Sequence, residues 1–139
     1  MEDNLSIQIL DYYTWKIPDS ELGQGLLLKT SRGNIKTIVH QSPQLQTDKA
    51  IIWVCGANGG FEGPANGMYR TISESLKHSI RSIRIDYRKP NVLSECALDI
   101  LSALKGVMDP SLLTTLKLRR LIFFKFTSFF ANTGELSAI

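Results

Sequence analysis

The chain has little cysteine: Cys55 and Cys96 are the only two in 139 residues. Two thiols without close ligand partners make neither a disulfide framework nor a zinc site, so no metal is expected. Charge of one sign is scarce as well. Through Asp109 there are 12 Lys and Arg against 12 Asp and Glu, and the formal +3 arises later, where Lys117, Arg119, Arg120 and Lys125 meet Glu135 alone. A nucleic-acid face needs cations clustered among stacking aromatics, and the neutral body has none, so no nucleic-acid partner is expected. Long hydrophobic runs are also missing. The stretch LIFFKFTSFF is broken by Lys125 and falls short of the roughly 20 apolar residues of a membrane span. No apolar segment follows the acidic start MEDNLS, so no secretory signal is read and a cytoplasmic location is the default expectation.

What is present reads as α/β. Residues 1–22, with Tyr12, Tyr13 and Trp15, are irregular or strand-forming, and periodicity decides little there. GLLLKT and NIKTIVHQ flank Ser31-Arg32-Gly33-Asn34, which predicts an antiparallel hairpin. The run Ala50–Cys55 is apolar throughout, as in a strand covered on both faces inside a parallel sheet. Tyr69, Ile72 and Leu76 recur at helical spacing over roughly 67–78. IRSIRIDY predicts a further strand. Asn91 can cap a second helix whose apolar face is Leu93, Ala97, Ile100, Leu101 and Leu104, ending at Gly106 or Asp109-Pro110. The expected sheet is antiparallel at one edge and parallel inside. Past Pro110 the composition changes, with five of the six phenylalanines at 123–130. The predicted organisation is a body over 1–109 and a divergent apolar and basic tail over 110–139.

The segment CGANGGFEGPANG, after the apolar strand, carries the functional question. A phosphate-binding Gly-x4-Gly-Lys-Ser/Thr loop is excluded, because no Lys occurs between Lys49 and Lys77. A dinucleotide fold wants Gly-x-Gly-x-x-Gly opening a helix and an acid after the next strand. Asp86 sits at such a strand end, but the glycine spacing never forms the fingerprint, and Pro64 with further loop separates Gly60 from the helix. No cofactor is expected. Cys55 has Phe61 where a thiol phosphatase needs Arg, so it reads as a small buried hydrophobe. Cys96 reads the same way within its helix. The remaining role is acyl transfer, where a backbone N–H in a loop after a sheet strand stabilises an oxyanion. Glycines there permit close approach and positive φ.

With IIWVCGANGGFEGPANGMY, then IRSIRIDYRKPN and LSECALDILSAL, residues 20–107 resemble the N-terminal half of α/β-hydrolase-fold proteins, of the dienelactone-hydrolase-like or serine-esterase-like kind. The resemblance implies an oxyanion-side loop at Gly56, Ala57, Asn58, Gly59 and Gly60. It implies a structural turn at DYR and PN. It implies serine hydrolysis of carboxylic esters or related acyl bonds as the family's chemistry.

The family's nucleophile stands on a Gly-x-Ser-x-Gly elbow, strained enough to demand small neighbours. By position the candidate is Ser128, but Phe126 and Phe130 occupy both flanking positions. After Ser128 there is one carboxylate, Glu135, and no His; His40 and His78 precede it. The expectation is an incomplete hydrolase-like sheet that ends before the elbow and is inactive as this chain, taking a small acyl substrate only if other sequence completes it. One alternative is a non-enzymatic module that docks on an intact relative or another partner, or on itself, through an open sheet edge and the tail. A nucleotide-binding α/β domain is the second.

Overall fold

The computed structural model describes residues 5–47, 49–56, 59–108 and 115–117. Its strands are β1 (Ser6–Trp15), β2 (Gln24–Thr30), β3 (Gly33–His40), β4 (Ala50–Trp53), β5 (Arg81–Asp86) and β6 (Thr115–Lys117); its helices are α1 (Pro64–Leu76) and α2 (Leu93–Met108). They make one mixed sheet in the order β4-β5-β3-β2-β1-β6. The β2–β3 hairpin forms where the sequence predicts it, with Thr30 opposite Gly33. The Thr30 hydroxyl holds the turn, accepting from the Arg32 N–H at 3.1 Å and donating to the Gly33 carbonyl at 2.6 Å.

Alternation sorts the strands onto two faces. Ile83 and Ile85 of β5 join Leu28, Ile35 and Ile52 in the core beneath α2, with Leu98 and Leu101 above them. Ser82 and Arg84 point to the other face and are equally buried. There α1 lies, its Tyr69 ring 5.0 Å from that of Trp53. The sheet is therefore sandwiched between one helix on each side, which is a small α/β fold.

Three expectations are corrected. The apolar strand is not interior: β5 inserts between β3 and β4, so β4 ends the order and β4–β5 is the one parallel pair among the described strands. Its faces are nonetheless covered, Ile52 by the α2 core and Trp53 by α1. An all-apolar strand reports two covered faces, and those do not require two strand neighbours. Second, the buried side of α2 is wider than the expected face. Ile100 and Leu101 are buried and Leu104 packs against the core as expected. Leu93 is 41% exposed, whereas Glu95, Asp99 and Ser102 are buried. Third, Asn91 does not cap that helix through its first bond. The Val92 carbonyl accepts the first helical N–H, from Cys96, and Asn91 stands before it at φ +76°.

Residues 6–15, undecided in the sequence, form a ten-residue strand. A bulge between Ile9 and Asp11 shifts its register, which is why its apolar residues do not alternate cleanly. In α1 the first residues are not helical: Ala65, Asn66 and Gly67 have φ of +54°, +52° and +80°. Regular helix follows them, as the periodicity from about residue 67 predicts. Among residues 110–139 only Thr115–Lys117 are described, paired with Ser6–Gln8 of β1. Ser128 and Glu135 lie outside the described residues. No helix among the described residues is long and apolar enough to cross a membrane.

Candidate functional site

The glycine segment leaves β4 at its C-terminal end and returns into α1, so it lies beside the C-terminal end of the parallel partner β5. Open α/β sheets bind their ligands at that end of parallel strands. Ala57 and Asn58 fall outside the described residues. The rest of the loop is pinned from within. The Gly59 N–H donates to the Gly56 carbonyl at 3.0 Å, closing the first reversal. The Gly60 N–H donates to Asp86 Oδ1 at 3.0 Å, and the Cys55 thiol donates to the Gly60 carbonyl. Tyr69 then gives its hydroxyl proton to the Val54 carbonyl at 2.8 Å. Beyond the reversal, Phe61 stacks on Trp15 with ring centroids 5.9 Å apart.

These bonds explain the glycines. Gly59 and Gly60 have φ of +69° and +86°, in the left-handed region that side chains resist. Gly63, at φ +70°, has no room either: a Cβ there would meet the Tyr69 ring at 2.6 Å. Gly56 is different, with nothing within 4 Å of a built Cβ.

The chemistry the loop can offer follows from what its groups already do. The amides of Gly59 and Gly60 both donate internally, so neither is aimed at a ligand in this state. Asp86, the acid that a ribose would require, accepts from Gly60. Burial raises the Cys55 thiol above its ordinary pKa, so it is a protonated, half-buried side chain and not a thiolate nucleophile. Among the described residues no group of His, Cys, Asp and Glu could hold a metal ion.

Neither histidine reaches this end of the sheet. His40 pairs with Ser82 at the start of β5, while the loop is tied to Asp86 at its finish. The four-residue offset is ~13 Å at the strand rise. His78 lies between α1 and β5, exposed, at the same far end. His40 is also fully engaged. Arg84 Nε donates to His40 Nε2 at 3.1 Å, so Nε2 is the acceptor and Nδ1 carries the proton, held by Glu74 Oε2 at 2.9 Å. Burial depresses the His40 pKa, opposed by the Glu74 bond. Arg84 completes its shell on Glu21, with Nη1 on Oε2 at 2.9 Å and Nη2 on the carbonyl at 2.8 Å. A polar pocket of about 380 Å³ opens beside this cluster, between His40, Gln41, Ser42, Glu74 and Lys77, and the glycine loop does not line it.

A second buried cluster fixes the DYR turn. Arg88 donates to Asp99 through its N–H at 2.8 Å and its guanidinium, and to Glu95 at 2.7 Å; Arg32 also binds Glu95. Burial pushes Glu95 up, but the Arg88 bond and the two guanidinium charges outweigh it and hold the carboxyl below its usual range. For Asp99, fully buried, burial wins and the pKa is raised. The sequence reading missed these carboxylates, because i, i+4 acids on a helix look like its wet side. The signal that could have found them is the pair of arginines, Arg32 and Arg88, each in a turn beside an apolar strand. Comparison with protein-family models, curated proteins and solved structures finds no match to this chain.

Proposed function

We propose that the chain is an α/β-hydrolase-like sheet whose Gly56–Gly60 segment is the oxyanion-side loop, and that it does not hydrolyse acyl bonds by itself. The observation that carries the reading is the position of that loop. The glycines stand between a strand, β4, and the first helix, α1, and such enzymes place one oxyanion donor in a strand-to-helix loop of this kind. The left-handed Gly59 and Gly60 at the C-terminal end of a parallel pair support it. The inactivity follows from the same geometry. Gly60 must release Asp86 before its N–H can serve an oxyanion, and both histidines are at the other end of β5.

The test is hydrolysis of p-nitrophenyl acetate and longer acyl esters by the full chain, against a heat-unfolded control. The expected result is no rate above the control. A rate well above it that disappears in Ser128→Ala would overturn the claim of inactivity. A second reading, a docking module, is favoured by the outer edge of β4, which has no strand partner among the described residues.

A further inference from the structure

Among the described residues, the buried side-chain polar atoms without a hydrogen-bond partner are Ser73 Oγ, Ser82 Oγ and Trp53 Nε1. All three residues are buried, the two serines completely. A hydroxyl or indole N–H taken out of water and left unpaired is destabilising. Native proteins therefore pair nearly all such groups, with protein atoms or with ordered water.

The fold gathers these three on one patch. Ser82 of β5 stands in register between Ile51 of β4 and His40 of β3. Two residues on, Arg84 is the register partner of Trp53. Over this face lies α1, which buries Tyr69 and Ser73 against it. Tyr69 meets the Trp53 ring, and Glu74, the residue after Ser73, reaches His40. Ser73 is thereby placed over the start of β5, where Ser82 is. Tyr69 and Ser73 are one helical turn apart, about 5.4 Å. Ser82 and Arg84 are two strand residues apart, about 6.6 Å. One small molecule spans that patch.

The partners fix its chemistry. The indole N–H only donates, whereas each hydroxyl donates and accepts. The ionisable neighbours are already engaged, His40 by Glu74 and Arg84, and Arg84 by Glu21. What is called for is a small neutral group that accepts once and pairs with two hydroxyls. Water does this, and a buried water typically makes about three hydrogen bonds. The polar pocket supplies the way in from solvent. It is lined by His40 and Glu74, the immediate neighbours of Ser82 and Ser73.

We propose that a buried water molecule joins α1 to the sheet, held by Ser73, Ser82 and the Trp53 indole N–H. The site is separate from the glycine loop, so the ester assay and this proposal fail independently. Oxygen-17 relaxation dispersion on the full chain counts long-lived internal waters. The Ser73→Ala/Ser82→Ala double variant is expected to hold one fewer than the native chain. Urea unfolding gives the sign. At a hydroxyl with no partner, Ser→Ala leaves stability unchanged or raises it. At a hydroxyl on the water it should lower the folding equilibrium constant by about fivefold or more. The double variant should lose less than the two singles together, because both act on one water. Trp53→Phe, which keeps a ring against Tyr69, should show the same coupling with Ser82→Ala. Unchanged or raised stability in the single serine variants overturns the proposal. Additive losses would put the groups in separate sites and overturn it too. So would coupled losses with no long-lived water lost, which would mean that the two hydroxyls bond each other directly.

Discussion

At the scale of single residues, the glycines after β4 separate into kinds. Gly60 is left-handed but has open space around it; Gly59 is left-handed and close to Pro90, whose Cγ would stand 3.0 Å from an added Cβ; Gly56 is neither. The expected order of damage is therefore graded. Gly60→Ala should cost about 1 kcal/mol from the backbone alone. Gly59→Ala should cost more, because Pro90 sits in a rigid turn and cannot give way freely. Gly56→Ala should stay within about 0.5 kcal/mol. Urea unfolding of the three variants checks the series. Equal losses would show that the loop's backbone conformation is not what these glycines serve. The need for glycine here was legible in the sequence; which glycine answers which need was not, because that depends on Pro90 and Asp86, 26 or more residues away.

At the scale of elements, two buried polar clusters tie helices to the sheet. His40 and Arg84 fasten α1 and the turn at Asp19–Glu21 to β3 and β5; Arg88 with Glu95 and Asp99 fastens α2 to the end of β5. The first cluster gives a pH dependence. The folded His40 has its pKa below the unfolded value of 6.5, so between the two values the unfolded chain binds more protons than the folded one. Stability from this residue is then complete above pH 6.5 and is lost as pH falls through the folded value. Glu74 is held low by Lys77 and by His40 and stays ionised through that window. Chemical denaturation between pH 7.5 and about 5 should show falling stability in the native chain and a flatter profile in His40→Asn. A parallel loss in both would place the titration elsewhere. The sequence shows His40 at a strand end, but not its isolation from water, since Glu74 and Arg84 are 34 and 44 residues away.

At the scale of the molecule, the last described strand is β6, which pairs with β1 and ends at Lys117. A chain ending at Lys117 keeps every described strand pair and both helices. It loses RLIFFKFTSFF, a segment of high β-propensity interrupted by one charge, of the kind that drives association. The shortened chain should melt within about 4 °C of the full one, a change under about 1 kcal/mol. It should also scatter less light at high concentration. A far lower melting temperature would make the residues after Lys117 part of the core.

Local signals determined much of this protein. The hairpin at 31–34, the strand Ile83–Ile85, the helix after Gly67 and the need for glycines after Cys55 all follow from turn chemistry, alternation and 3.6-residue spacing, which act over a few neighbours. Tertiary structure alone decided the rest. It placed β5 between β3 and β4, which turned an apparently central strand into the edge. It buried Glu95 and Asp99 by bringing Arg88 and Arg32 to them, and it set both histidines at the end of the sheet away from the glycine loop. Each of these rests on partners far apart in the chain. Burial free energy rewards any arrangement that covers apolar faces, and only long-range pairing of strands and charges selects one of them.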